Sequence, residues 1–178
     1  MRKLSKKNIK IGILGGTFDP PHIGHLHISK IALKKLKLNK LIWTITKKNP
    51  LKKKPYLKIK TRIKLSKKIT NKEKKIFVHY FDDTIKSVNT FDLLNHIKKR
   101  NRNAKLFFLI GADNAIKFNK WNNWKKIPKI AKIAVFPRQN YSIKSLNCIA
   151  SKKLNRKDLI YVNSKKVNIS SSLIRKFW

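Results

Sequence analysis

Acidic side chains are nearly missing from this chain: 178 residues carry only 7 Asp and Glu against 46 Lys and Arg, a formal net charge of +39. So few carboxylates leave little material for a protein-built cage around a hard cation. Cysteine is as scarce. Cys148 is the single one, which excludes an internal disulfide and any CxxC metal or redox pair, and fits a reducing cytoplasm. No apolar run approaches the length of a bilayer span, and Met1 to Lys10 is basic and polar without an apolar signal core. A soluble, unexported, cytoplasmic protein with no membrane association is therefore expected. With 41% hydrophobic residues, the length suits one domain over 1–178 with a sizeable core.

The surplus of positive charge suggests a polyanionic partner such as RNA or DNA. Two features weaken that reading. Lysines greatly outnumber arginines, and they are spread along nearly every segment with many Asn and Ile, as a genome-wide codon bias would produce. Nucleic-acid recognition usually concentrates Arg and aromatic residues on one face. Nucleic acid is thus not required by the charge alone.

Hydrophobic patterning gives alternating strands and helices. Ile9 to Leu14 reads as a buried strand ending in Gly15-Gly16, and helical spacing follows at Ile23, Leu26, Ile28, Ile31, Leu33 and Leu36. Further strands are predicted at 41–46, 76–81, 106–110, 133–136 and 159–162. Helices are predicted at 59–69, 91–97, 114–118, 123–130 and 170–177. The segment 142–158 is the least regular and reads as a connection. This alternation predicts an α/β, Rossmann-like, doubly wound parallel sheet of five to six strands with helices on both faces, and ligands beyond the carboxyl ends of the strands.

The residues with chemical potential cluster at those ends. Gly15-Gly16-Thr17-Phe18-Asp19-Pro20-Pro21-His22-Ile23-Gly24-His25 joins a buried strand to a helix, which brings backbone N–H groups and a helix N-terminus to one point and favours an anion. Glycine there lets phosphate approach the backbone. His22 and His25, three apart, share a face of the first helical turn. A GxGxxG dinucleotide fingerprint and the Gly-Lys-Ser/Thr of a P-loop are both absent, so phosphate would be held by another scheme. A zinc pair completed by His27 is disfavoured by the shortage of further ligands.

This turn resembles the HxGH signature of the nucleotidyltransferase superfamily, and Ile169-Ser170-Ser171-Ser172-Leu173-Ile174-Arg175 is similar to that superfamily's second signature, Ile-Ser-Ser-Thr-x-Ile-Arg. Ile110-Gly111-Ala112-Asp113-Asn114 through Trp121 resembles the Gly-Ala-Asp…Phe…Trp segment of bacterial nicotinate-nucleotide adenylyltransferases. The resemblance implies adenylyl transfer from ATP to nicotinate mononucleotide, with release of pyrophosphate and Mg2+ bound through the ATP phosphates. It implies catalytic roles for His22 and His25. It places Gly15, Gly16, Thr17, Phe18, Gly111 and Asp113 around ATP; beside it, Ser171, Ser172 and Arg175 at a helix start suit the departing pyrophosphate, and Arg138, one of few arginines and just past the fifth strand, suits the nucleotide. Asn49, Lys52, Ser87, Thr90, Asn114 and Trp121 would meet the nicotinate nucleotide.

Plainer readings stand beside these. Trp121 suits a core aromatic, Ser87 and Thr90 suit helix caps, and the lysine run 47–54 suits a solvated loop. Ser172 replaces the usual threonine and keeps the hydroxyl, whereas Asn89 and Phe91 depart from the family's Thr-x-Asp-Thr-Leu pattern. Another enzyme of the superfamily, such as a pantetheine-phosphate adenylyltransferase, or a basic nucleic-acid-binding module on the same fold, are the alternatives.

Overall fold

The computed structural model describes residues 9–51, 53–164 and 169–178. In chain order the elements are β1 (Lys10–Gly16), α1 (Ile23–Lys35), β2 (Lys40–Ile45), α2 (Ile59–Thr70), β3 (Ile76–Tyr80), α3 (Asp82–Ile85) and α4 (Thr90–Arg100). Then follow β4 (Lys105–Gly111), α5 (Ala112–Ile116), β5 (Ala131–Phe136), α6 (Ser142–Leu146), α7 (Ile149–Lys153), β6 (Leu159–Tyr161) and α8 (Ser171–Ile174). The strands form one sheet in the order β3-β2-β1-β4-β5-β6, every pairing parallel.

A parallel strand inside such a sheet is covered on both faces and needs a continuous apolar run. Leu106 to Ile110 of β4 satisfies this, with no residue more than 7% exposed. At the edge the demand relaxes: β3 alternates, and Phe77 is 44% exposed. Successive residues point to opposite faces, which divides the core in two. Ile11, Ile13, Phe108, Ile133 and Val135 pack with Leu94 and Ile97 of α4, Ala112 and Ala115 of α5 and Ala150 of α7. Leu14, Leu41, Trp43, Phe107, Leu109 and Ala134 pack on the other side with α1 and α2. The predicted doubly wound sheet is the observed one.

Strand order reverses between β1 and β4, which leave the sheet centre in opposite directions. In open α/β sheets this reversal opens a crevice at the carboxyl ends of the two strands. Here those ends are Gly15-Gly16 and Ile110-Gly111, paired through Leu14 and Leu109 one step below.

Four local expectations are revised. The helix predicted at 123–130 is a single 3-10 turn, Ile127–Lys129, because Pro128 has no N–H to continue an α-helical ladder. The segment 142–158, expected to be irregular, holds α6 and α7, pinned by buried Ser145, Cys148 and Ala150. The C-terminal helix is α-helical only to Ile174 and tightens to 3-10 over Arg175–Phe177. Ile23, expected on the buried face of α1, is 66% exposed, because its neighbours His22 and Gly24 take the inward positions. Among the described residues, no helix is long and apolar enough to cross a membrane.

Candidate active site

The turn after β1 is built by contacts from distant segments. Phe18 sits at φ 49, a left-handed conformation that costs a non-glycine residue about 1–3 kcal/mol. Burial of its ring offsets this. Phe18 is 2% exposed, stacks on Trp43 with centroids 4.9 Å apart and lies 4.7 Å from the His25 ring. Its side chain is therefore a floor beneath the histidines, and it lines neither of the cavities described below. The Asp19 carboxylate accepts from Tyr56 N at 2.8 Å and Leu57 N at 2.9 Å, tying the turn to the segment before α2.

The C-terminal signature docks on this same turn. Ser171 Oγ donates to the Pro20 carbonyl at 2.8 Å, and Arg175 donates to the Asp19 carbonyl and lies 3.7 Å from its carboxylate. Arg175 also reaches Ser172 Oγ at 3.2 Å and spreads over the Tyr56 ring at 5.1 Å. The two motifs, at opposite ends of the chain, thus share one structure. Ser171 and Arg175 hold the turn in shape besides whatever they offer a ligand.

His22 and His25 open α1 as a reciprocal cap. The Gly24 N–H donates to His22 Nδ1 at 3.1 Å, and the His22 N–H donates to His25 Nδ1 at 3.2 Å. An imidazole nitrogen that accepts a backbone N–H carries no proton, so each neutral ring keeps its proton on Nε2. Both rings are hydrogen-bond donors at that atom. Their centroids are 3.9 Å apart. Burial, reinforced by the positive charge of Arg138, pushes the His22 pKa down to about 4, so His22 is neutral at pH 7. His25 is steadied from behind: its carbonyl accepts from Ser29 Oγ at 2.7 Å, and Ser29 Oγ accepts from Trp43 Nε1 at 2.8 Å. Gly24 admits no side chain, since a Cβ there would lie 2.8 Å from Ile169 and 2.9 Å from the His22 ring.

Two cavities flank the turn and meet at Gly15. The smaller, about 100 Å³, is lined by His22, Gly24, His25, Gly111, Asn114 and Arg138 above an apolar wall of Leu109, Ile110 and Phe136. At its edge Arg138 pairs with Asp113 at 3.4 Å. A Cβ on Gly111 would meet Asp113 Oδ1 at 2.5 Å, so a side chain there would push that carboxylate aside. The larger cavity, about 330 Å³, is lined by Gly15, Gly16, Thr46, Lys48, Asn49, Asn89, Thr90, Phe108, Lys120 and Trp121 among others. Trp121 packs 5.9 Å from Phe108 and 5.3 Å from Phe118 and also lines this cavity, so it is part of the core and of the cavity wall at once.

The structure therefore brings Asn49, Thr90 and Trp121 together as expected, and separates others. Ser87 lies outside the larger cavity: its hydroxyl donates to Asp92 Oδ2 at 2.6 Å and accepts the Asn89 N–H at 3.1 Å, a turn-and-cap role before α4. Asn114 faces the smaller cavity rather than the one with Trp121, because α5 starts over β4 and turns its first residues toward Arg138. Thr17 lines neither cavity; its carbonyl is held by Arg62. Ser172 is exposed. Lys52 lies outside the described residues.

Sequence reasoning missed several residues. Arg62, 2% exposed, donates to four carbonyls around the site. Asp82 Oδ2 accepts from Thr46 Oγ1 and from Lys47 N, both at 2.7 Å, fixing the exit of β2. Lys48 and Lys120 supply the larger cavity with positive charge. The usable signal was the rarity of acids: Asp19, Asp82 and Asp113 all fall just past the carboxyl ends of strands β1, β3 and β4. Among the described residues, no three His, Cys, Asp or Glu side chains cluster to hold a metal ion.

Comparison with known proteins agrees with this geometry. The chain is 47% identical to a "Probable nicotinate-nucleotide adenylyltransferase" of Pelagibacter ubique, over 97% of this chain and 96% of the relative. It is 33% identical to a protein of the same name from Aliarcobacter butzleri, over 94% of this chain and 86% of the relative. Its fold matches that of the Plasmodium falciparum nicotinic acid mononucleotide adenylyltransferase complexed with NaAD, with a TM-score of 0.76 at 23% identity, covering 96% of this chain and 84% of that one. Residues 13–177 match the cytidylyltransferase-like family. With its two signatures folded into one site, the chain belongs to the cytidylyltransferase-like family, among the nicotinate-nucleotide adenylyltransferases.

Proposed function

We propose that this chain transfers the adenylyl group of ATP to nicotinate mononucleotide, giving nicotinate adenine dinucleotide and pyrophosphate on the route to NAD. One observation carries the reading: two cavities of different character meet at Gly15, beside two histidines that each keep an N–H on Nε2. The smaller cavity, with its apolar wall, Arg138 and the helix N-terminus, suits ATP. The larger one, with Trp121 and two lysines, suits a flat, anionic pyridine nucleotide. The whole chain acts as one catalytic unit, since motifs from both ends build one turn.

The chemistry asks little of the protein beyond placement. A phosphate oxygen of the mononucleotide attacks the α-phosphorus of ATP, a new P–O bond forms, the Pα–O bond to the β-phosphate breaks, and pyrophosphate leaves with that electron pair. The nucleophile is already an anion, so no general base is needed, and catalysis rests on alignment and on donors aimed at the developing charge. Neutral His22 offers an N–H without adding a full charge, and His25 offers a second beside it. Arg138 supplies charge at the nucleotide end. Among the described residues no cluster of His, Cys, Asp or Glu forms a protein cage for Mg2+, which would enter on the ATP phosphates and there neutralise charge. The lone thiol of Cys148, buried, fits a reducing cytoplasm.

The test is pyrophosphate release with Mg-ATP and, separately, nicotinate mononucleotide, nicotinamide mononucleotide and phosphopantetheine. Turnover should be fastest with nicotinate mononucleotide, because Lys48 and Lys120 line the pyridine-side cavity and the one carboxylate lining it among the described residues, Asp82, is occupied by Thr46 and Lys47. Turnover with none of them would overturn the reading, and phosphopantetheine as the best acceptor would replace it.

A further inference from the structure

Arg62 is a buried cation without a carboxylate in contact. At 2% exposure it is among the few charged residues in the interior, and it makes no ion pair among the described residues. Burying a guanidinium is costly unless its N–H groups are satisfied. Here every partner is a main-chain carbonyl. Nε donates to Leu57 O at 3.0 Å, Nη1 to Thr17 O at 2.7 Å and Thr46 O at 2.6 Å, and Nη2 to Lys47 O at 3.0 Å.

These carbonyls come from three separate stretches: the turn after β1, the exit of β2, and the segment before α2. The first carries the approach to His22 and His25, and the second forms a wall of the cavity with Trp121. The opposite sides of the same stretches are held by carboxylates. Leu57 gives its carbonyl to Arg62 and its N–H to Asp19, while the peptide between Thr46 and Lys47 gives its carbonyl to Arg62 and its N–H to Asp82. Burial pushes the Arg62 pKa down, and the charges of Asp19 and Asp82 push it back up. The result is one fork that clamps the turn two residues past Gly15, where the cavities meet, to the exit of β2 and to the segment before α2.

We infer that Arg62 is a positioning residue that fixes the distance between the two substrate cavities, and so sets the in-line approach of the mononucleotide phosphate to the α-phosphorus of ATP. This rests on the adenylyl-transfer reading above. Arg62 lines neither cavity. Its loss should leave each cavity able to bind its own ligand while spoiling their relation, and a displacement of about 1 Å between reacting groups costs on the order of 100-fold in rate. Lysine cannot replace it. An ammonium has three donors on one atom and cannot span four carbonyls arranged around a planar fork.

The experiment uses the full chain with R62K and R62A. Kd for ATP and for nicotinate mononucleotide is measured separately by calorimetry, and kcat by pyrophosphate release at saturation. The expected result is a kcat loss of about 10- to 100-fold in R62K, with each binary Kd changed less than about threefold, and partial recovery of R62A by added guanidinium chloride at millimolar concentration. A kcat within threefold of wild type in R62K would overturn the inference, as would binary affinities that fall as far as kcat does. So would failure of both variants to fold, which would mark Arg62 as structural only. Inactivity of the wild-type chain itself counts against the adenylyl-transfer reading and is scored separately.

Discussion

His22 should remain a neutral, Nε2-protonated imidazole throughout the physiological range. The perturbation is a pH titration of the free protein. With the pKa lowered from 6.5 to about 4 by burial and by Arg138, the protonated share at pH 7 is on the order of 0.1%. An unperturbed histidine would hold roughly a quarter. The linkage has a definite sign. A folded-state pKa below the unfolded value means that the unfolded chain binds the proton first. Stability from neutral His22 is therefore fully present above pH 6.5 and is lost as pH falls from 6.5 toward 4. The fall corresponds to at most about 3.4 kcal/mol, and less in practice because the ring borders an open cavity where solvent screens it.

The assay is histidine ring NMR, with His22 assigned by its loss in a His22→Gln variant. Nitrogen shifts at pH 7 should show a protonated Nε2 and a bare Nδ1, as the bond from Gly24 N requires. The His22 signal should stay unmoved from pH 8 down to pH 5. A midpoint near 6.5, or a proton on Nδ1, would refute both the burial argument and the cap geometry. Bound ATP should shift the balance the other way, because a polyanion beside the ring favours its charged form.

Three further outcomes follow from the site. Gly24→Ala should lower kcat by about 10- to 100-fold, since the new Cβ would sit 2.9 Å from the His22 ring and displace it. Its melting temperature should fall modestly, because displacing Ile169 and His22 costs about 1–3 kcal/mol, partly offset by the roughly 1 kcal/mol by which alanine is favoured over glycine in a helix; a normal kcat would contradict this. Trp121→Ala should raise the KM for nicotinate mononucleotide by roughly 5- to 100-fold, the worth of about 1–3 kcal/mol of ring stacking, and leave the KM for ATP within about twofold, with Trp121→Phe intermediate; equal changes in both constants would remove Trp121 from the pyridine site. At a net charge of +39, the melting temperature should climb with added sodium chloride and further with pyrophosphate, as repulsion is screened and an anion binds; a flat response from low to high salt would show that the charge carries no such cost.

What the sequence disclosed depended on the range of the interaction. The β1 turn and the start of α1 are contiguous, and their glycine, histidine and strand signals point the same way, so the site's centre was legible residue by residue. The doubly wound sheet was legible for a similar reason, because buried parallel strands need the uninterrupted apolar runs seen at β1, β2, β4 and β5. Arg62 was not legible. It sits in a lysine-studded amphipathic helix, and nothing in its neighbours reveals that its side chain turns inward to four carbonyls rather than outward to water. Ser87 and Asn114 were placed through the segments that carry the family resemblance. Their hydroxyl and amide directions depend on how α4 and α5 start, which residue type alone does not fix.

The scarcity of carboxylates acquires a meaning once their places are known. Six of the chain's seven acidic residues have side-chain partners in the structure: Asp19, Glu73, Asp82, Asp83, Asp92 and Asp113. Three of these, Asp19, Asp82 and Asp113, hold the loops that shape the two cavities. Each does so against backbone N–H groups, a hydroxyl or an arginine, so none presents an uncompensated negative charge to a phosphate. In a composition that otherwise drifts toward lysine, an acid at these positions cannot become a lysine without releasing a loop and adding a like charge where a donor already points. The basic background, by contrast, costs the chemistry nothing, because both proposed substrates are anions and a positive field draws them toward the site. The same reasoning explains why the charge misleads when read as a nucleic-acid signature. The surplus is diffuse, whereas the positions that resist it are few and converge on Gly15.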